Sequence, residues 1–370
     1  MNKLKYLLLA FLALILLPNI LLAQESQASN DSLFYARVLE ILDERDTTTD
    51  NGVINKQQNI KLLLLSGPEK DKEVIYQGID QFSVVSQGYY QVGDKVLVNK
   101  SQTEDGRDFY DITDYVRLNG LAYLFLFFVL LVIVIAKWKG LKALLSLFFS
   151  VLVIMKFMIP NILTGFNPFW VALIGALFIL VFIIYFTEGL NKKSNLAVLS
   201  IVLVLISVGM LTVFFEAYLR LSGMSNEESM LLVGLTEQAI NFRGLLLAGI
   251  LLGTLGVLDD VVISQISAVE ELKKANASFD FKHLYTSSIN IGKSHLASMI
   301  NTLFLAYAGA ALPLLILFSL KTGQWLSPSL VVNNEMIATE ILRTLVGSIG
   351  ILLAVPISTY LAAKYFAKKS

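Results

Sequence analysis

The chain contains no cysteine and only two histidines, His283 and His295. Disulfides, thiol nucleophiles and thiolate metal sites are therefore excluded, and a histidine-rich metal site goes with them. Charge is scarce as well: 16% of the 370 residues are Asp, Glu, Lys or Arg, against 55% hydrophobic. That balance is too apolar for an ordinary soluble domain and points to a multi-pass membrane protein, with the lipid bilayer as its first partner. No basic stripe supports nucleic-acid binding. No P-loop, Rossmann glycine fingerprint, nucleophile elbow or zinc motif is present, so neither a cofactor nor a metal is expected, and the chain does not read as an enzyme.

Formal net charge is zero, but the sum hides an asymmetry. Residues 24–117 carry 17 acidic and 10 basic side chains, whereas residues 118–370 carry 12 acidic and 17 basic. The acidic stretch reads as a separate hydrophilic domain. Ahead of it, Lys3 and Lys5 precede an apolar run from Tyr6 to Leu22, with Pro18 near its end and Ala23 at a plausible cleavage position. This is the pattern of a secretory signal at 1–23. Leu21, at the −3 position, is larger than the usual small residue, which leaves an uncleaved anchor as the alternative.

Residues 24–117 read as β-rich. Short apolar runs, Ile60–Leu65 and Phe82–Val85, alternate with turn signals at Asp50-Asn-Gly52, Ser66-Gly-Pro68, Gln87-Gly88, Val92-Gly-Asp94 and Asp105-Gly106. A length near 90 residues suits a small barrel of about five or six strands. Seven apolar segments follow, at about 119–136, 141–159, 169–187, 195–215, 244–264, 295–319 and 341–363. Each approaches the ~20 residues that span a bilayer. The expected fold is thus an α-helical polytopic bundle over 118–370 behind an N-terminal extracytoplasmic β-barrel domain.

Lysine and arginine placement orients the bundle. The loops after the first, third, fifth and seventh segments hold twelve: Lys137, Lys139, Lys142, Lys192, Lys193, Lys273, Lys274, Lys282, Lys293, Lys364, Lys368 and Lys369. The opposite loops hold four, Arg220, Arg243, Lys321 and Arg343. The β-domain is therefore expected outside the membrane and the C-terminus in the cytoplasm, in agreement with a signal sequence. Ser225-Asn-Glu-Glu228 before the apolar run Met230–Leu235 predicts a short interfacial or re-entrant helix. Residues 268–293 read as the longest inner loop, with Ala275-Asn-Ala-Ser278 as a turn between two amphipathic helix ends.

Chemistry concentrates in the fifth segment and just beyond it, where Asp259 and Asp260 are followed by Ser264, Gln265 and Ser267. An ionisable side chain inside a bilayer costs at least ~2.5–3.5 kcal/mol, so it faces a partner or a water-filled path. Gly249 and Gly253 form a GxxxG pair, with Gly256 one turn on, a pattern that permits close helix packing. At helical spacing Gly253, Gly256, Asp260, Ser264, Ser267 and Glu271 share one stripe, and Glu270 lies on the neighbouring one with Asp259. The sixth segment offers a matching stripe of Ser294, Ser298, Asn301 and Thr302, opened by His295. On this reading Asp260 faces that stripe, Asn301 and Thr302 relay protons or ions, and Ser298, His295, Glu270 and Glu271 support them. Asp259 lies about 15 residues, roughly 22 Å, from the outer end of its segment, in the inner part of the ~30 Å core. Such a depth also suits aspartates that merely anchor the inner interface.

Several runs resemble the YibE/F-like family of bacterial membrane proteins: Gly253-Thr-Leu-Gly-Val-Leu-Asp-Asp-Val-Val-Ile-Ser-Gln-Ile-Ser267, Ser288-Ile-Asn-Ile-Gly-Lys293, Asn301-Thr-Leu-Phe-Leu-Ala-Tyr-Ala-Gly-Ala-Ala-Leu-Pro313 and Arg243-Gly-Leu-Leu-Leu-Ala-Gly249. The order of signal, β-domain and helical bundle fits the same family. Val262 and Ile263 depart from it, standing where relatives carry small or hydroxyl residues. This resemblance implies an architecture and no particular activity. A fainter one, to SecD/SecF and RND-type permeases, implies Asp260 with Asp259 as proton carriers and Asn301 and Thr302 as relay partners. The expected function is a permease- or exporter-like protein of undefined substrate, a small solute or an ion, coupled through its carboxylates. The alternative is a non-transporting scaffold or accessory subunit that presents the β-domain to partners. The glycine face leaves self-association, or pairing with another membrane protein, open.

Overall fold

The computed structural model describes residues 33–48, 54–79, 89–102, 106–225, 227–235, 240–319 and 327–368. The signal segment, the run Phe82–Val85, the turns at 50–52 and 87–88, and Lys321 and Lys369 lie outside the described residues. The chain divides into two compact units, Met1–Phe128 and Val129–Ser370.

The first unit is an antiparallel five-stranded sheet in the order β3-β2-β1-β4-β5, curled into a half-barrel. Its strands are β1 (Leu33–Thr48), β2 (Ile54–Leu64), β3 (Glu73–Gln77), β4 (Lys95–Gln102) and β5 (Asp108–Tyr115). Alternation sets the inner face: Phe34, Ala36 and Val38 on β1 are buried, as are Ile60, Leu62 and Leu64 on β2 and Val96 and Val98 on β4. Register shifts leave Leu39 and Leu42 out of the β1–β2 ladder, and such bulges bend a long strand and let a sheet curl. The curl brings β3 towards β5, and Glu69, just ahead of β3, joins the two edges. Its carboxylate accepts from Lys100 Nζ (2.5 Å), the Tyr110 hydroxyl (2.7 Å) and Lys72 Nζ (2.9 Å). The turns expected at Ser66–Pro68 and Val92–Asp94 are present, with Gly67 and Gly93 at φ of 83° and 98°.

The second unit is helical. Helix α1 (Leu118–Val153) runs through a π-helical turn (Ile154–Met158) into α2 (Ile159–Leu163), and α3 (Pro168–Glu188) and α4 (Lys192–Leu219) follow. Beyond a short α5 (Glu227–Leu235) come α6 (Phe242–Ala275), α7 (Phe281–Ala310), α8 (Leu312–Ser319), α9 (Pro328–Asn333) and α10 (Glu335–Ala367). Five runs among the described residues are long and apolar enough to cross a membrane: Leu118–Leu163, Pro168–Glu188, Lys192–Leu219, Phe242–Ala275 and Glu335–Ala367.

Three of the seven expected segments differ in form. Those at 119–136 and 141–159 lie in one helical run, broken at Lys137, whose φ of 50° and ψ of −127° are non-helical. The run becomes π-helical just before Pro160, which has no N–H to continue the regular ladder. The segment at 295–319 splits at Ala311, next to Pro313, into α7 and α8, and the polar first half of α7 keeps that helix out of the five apolar runs. The inner loop expected at 268–293 is mostly helical. Helix α6 extends to Ala275, α7 begins at Phe281 with Asp280 as its cap, and only the turn around 276–280 joins them.

The core of this unit is α10 packed on α4, α6 and α7, with α3 on the other flank of α6. In lipid such packing depends on close approach rather than on hydrophobic transfer. Gly350 provides it: a Cβ there would stand 3.0 Å from both Thr254 Cγ2 and Val208 Cγ2.

Candidate functional site: a charged groove beside α6

Helix α6 is capped by Asn241, whose side chain accepts from the Gly244 N–H at 2.9 Å. It turns Leu251, Leu255, Leu258, Val262, Gln265 and Val269 into the bundle. The opposite stripe is open: Gly249, Gly256, Asp260 and Ser264 are exposed, and Asp259 is half-buried. Asp260 therefore does not enter a packed seam with α7. It lines a groove of about 570 Å³ formed with the second part of α1 and with α3. Asp259, Asp260 and Ser264 come from α6, Lys139, Lys142, Ser146 and Ser150 from α1, and Thr187 and Glu188 from α3. Stacking of Phe149 on Phe182, with ring centroids 3.8 Å apart, ties α1 to α3 alongside it.

Neither aspartate forms an ion pair among the described residues. The Asp260 N–H donates to Asp259 Oδ1 at 3.0 Å, which leaves the other carboxylate oxygens to solvent or ligand. Lys142 Nζ donates to the Thr187 carbonyl at 3.3 Å, near the end of α3. Glu188 faces Lys193 at 3.7 Å. Ser146 is 4% exposed, and its Oγ has no hydrogen-bond partner.

The proposed relay partners on α7 are not brought to Asp260. Ser294, His295, Ser298, Asn301 and Thr302 lie on an exposed face of α7, where Thr302 Oγ1 donates to the Ser298 carbonyl at 2.9 Å. Glu270 and Glu271 are both paired to Lys274, at 3.2 and 2.8 Å, one turn along their own helix. Of the glycines, only Gly253 is approached by a neighbouring helix, with the Tyr307 hydroxyl 2.8 Å from where its Cβ would be; Gly249 and Gly256 face open space. The reason is the rotation of α6: its bulky residues claim the inward face, and the small and polar stripe is left outside.

Gln265 is the exception, and its place differs from that of the aspartates. It is buried where α6, α7 and α10 meet, donating from Nε2 to the Ser288 carbonyl (2.6 Å) and to Thr359 Oγ1 (2.8 Å). Gly292 on α7 makes room, since a Cβ there would sit 2.5 Å from Val355 Cγ1 and 2.9 Å from Gln265 Oε1. Gln265 is thus a junction between helices and not a wall of the groove.

At the far end of the bundle are residues that the sequence reading did not single out. Glu216, in the last turn of α4, is 8% exposed and faces Arg243 at 3.5 Å. Glu335 opens α10 and accepts from the Ser222 N–H (2.6 Å), the Ser222 hydroxyl (2.8 Å) and the Gly223 N–H (3.0 Å). A lone carboxylate closing an apolar helix was the available signal for Glu216. Among the described residues no group of three or more His, Asp or Glu side chains gathers as a metal site.

No curated protein and no solved structure matches this chain. The fainter likeness to SecD/SecF and RND-type permeases therefore gains no support. A family model described as YibE/F-like protein matches residues 124–368, about two thirds of the sequence and the whole groove, and the chain belongs to that family.

Proposed function

We propose that the chain is a permease- or exporter-like protein of a bacterial cytoplasmic membrane, in which Asp259 and Asp260 bind and release a proton or small cation as the bundle changes conformation. The observation behind this reading is the groove: two adjacent carboxylates without ion-pair partners, on an apolar helix, opening into a cavity of about 570 Å³. Carboxylates on adjacent residues repel each other, and a bound proton or small cation would relieve that repulsion. The lysine distribution supports an outward β-domain, an inward C-terminus and a groove opening towards the cytoplasm. The β-domain would then present substrate or partner from outside, and no bond-making chemistry is assigned.

The test is complementation. Asp260→Asn and Asp259→Asn should insert and accumulate normally yet fail to restore a deletion strain. Full restoration by both variants would sink the coupling reading. A second reading, a scaffold that assembles partners, is favoured by the open polar face of α7 (Ser294, Ser298, Asn301) and by the unfilled Gly249 and Gly256. A phenotype that both aspartate variants restore but that is lost in Gly249→Leu/Gly256→Leu would favour this reading.

A further inference from the structure

The groove is polar at one end and apolar along the rest. Lys139, Lys142, Thr187, Glu188, Asp260 and Ser264 sit at the end where α1 leaves its Lys137 break and α3 finishes. Ile154, Ile179, Leu180, Leu252 and Leu255 line the other end. The charged end carries both signs: Lys139 and Lys142 on the α1 wall, Asp259 and Asp260 on the α6 wall. Glu188 is engaged by Lys193. Lys142 has a long hydrogen bond to a carbonyl and stands over the Phe186 ring at 6.0 Å, and neither it nor the exposed Lys139 has an ion pair among the described residues. The wall of α1 also holds the Ser146 hydroxyl, nine-tenths buried and without a hydrogen-bond partner. Orphaned buried hydroxyls are uncommon, because a buried donor without an acceptor is unfavourable, and this one lies on the lining of a cavity of small-ligand size.

We infer that this groove holds an amine-bearing phospholipid of the leaflet it opens to, with the phosphate between Lys139 and Lys142, the primary ammonium against Asp259 and Asp260, and an acyl chain along the apolar wall. A dipolar headgroup answers both sets of charges at once, whereas a lone cation or a simple anion answers one of them. The long apolar wall selects a tail-bearing ligand over a free soluble amine. The inference rests on the reading that these helices span a membrane and needs no proton coupling.

Binding is read on the purified full-length protein in detergent, by native mass spectrometry with phosphatidylethanolamine, phosphatidylglycerol or soluble glycerophosphoethanolamine added. We expect phosphatidylethanolamine to bind about tenfold more tightly than phosphatidylglycerol, a gap of ~1.4 kcal/mol. That preference should vanish in the Asp259→Asn/Asp260→Asn double variant, whereas Lys139→Ser/Lys142→Ser should weaken both lipids, since both carry the phosphate. Ile183→Trp, which fills the apolar wall and leaves every charge in place, should weaken both lipids together. Equal binding of the two lipids by the unmodified protein overturns the proposal, as does a preference that survives the aspartate variant or lipid binding that the lysine variant leaves unchanged. Glycerophosphoethanolamine binding as tightly as the lipid overturns the membrane source. Because this readout uses no cells, its failure is separable from a failed complementation result.

Discussion

Gly292→Ala tests the three-helix junction around Gln265. A Cβ at residue 292 would stand 2.5 Å from Val355 Cγ1 and 2.9 Å from Gln265 Oε1. Carbon atoms rest at about 3.5–4.0 Å, so the new methyl is about 1 Å too close to a β-branched side chain that has little rotamer freedom. Relief requires α7 to move away from both α10 and α6 by up to about that much. The Gln265 bond to the Ser288 carbonyl, 2.6 Å in the native packing, then stretches past useful length. Overpacking of this kind costs about 1–3 kcal/mol, and an interhelical hydrogen bond in a membrane bundle adds about 0.6–1.7 kcal/mol. The expected loss is therefore about 2–4 kcal/mol, measured as reduced resistance of the detergent-solubilised protein to unfolding by SDS or heat. Val355→Ala removes the opposing methyl, so the double variant should recover at least about 1 kcal/mol relative to the sum of the singles. A Gly292→Ala protein within about 0.5 kcal/mol of wild type would refute the reasoning, and so would strict additivity in the cycle.

Two further perturbations address other parts of the molecule. In the β-domain, the Glu69 carboxyl is held at about 2, below its ordinary 4.5, chiefly by the hydrogen bond from Lys100, then by Tyr110 and Lys72. A depressed folded-state pKa means that the unfolded chain binds the proton more readily, so this contribution is present above pH 4.5 and is lost as pH falls towards 2. Glu69→Gln should flatten that acid limb in a near-ultraviolet circular dichroism titration; coincident limbs would show that the cluster contributes nothing. At the far end of the bundle, Glu335→Ala leaves the Ser222 and Gly223 N–H groups without their acceptor. A loss of about 1–3 kcal/mol is expected, with faster proteolytic cleavage near Ser222; an unchanged cleavage rate would argue against the cap.

Much of the architecture was legible because it rests on local rules. Strict alternation through Phe34, Ala36 and Val38 marks a half-buried strand, and glycines at residues 67 and 93 mark turns that need positive φ. The apolar runs mark the long helices in the same way. What could not be read was the rotation of each helix about its axis. The small and polar stripe from Gly249 to Ser264 looks on paper like a packing seam, and GxxxG reinforces that impression. The structure buries instead the bulkier face, Leu251, Leu258 and Val262, and draws α10 into close contact through Gly347 and Gly350. Helix α7 also carries a polar stripe, yet it meets α6 through Ser288 and Gly292, on another face from Asn301 and Thr302. Two stripes that match in sequence need not meet in space.

The polar atoms of the bundle separate by whether a helix can satisfy them from its own backbone. The buried hydroxyls of Thr212, Thr254 and Ser358, and the half-buried one of Ser267, donate to the carbonyls of Val208, Ile250, Ala354 and Ile263, each four residues earlier. Such groups need no partner from another helix and can sit anywhere in an apolar core. A carboxylate has no such recourse, because it can only accept and the helical N–H groups are already committed. Asp259 obtains one donor from its neighbour's N–H and nothing further. The remaining oxygens of Asp259 and Asp260 must look across the groove, to the ammonium groups of Lys139 and Lys142 on α1 or to whatever occupies the space between. Carboxylates and lysines are conspicuous in the sequence, more than a hundred residues apart; only the packing of α1 beside α3 makes them opposite walls of one cavity. That juxtaposition of opposite charges, held apart by a ligand-sized gap, distinguishes this polar cluster from the self-satisfied hydroxyls deeper in the bundle.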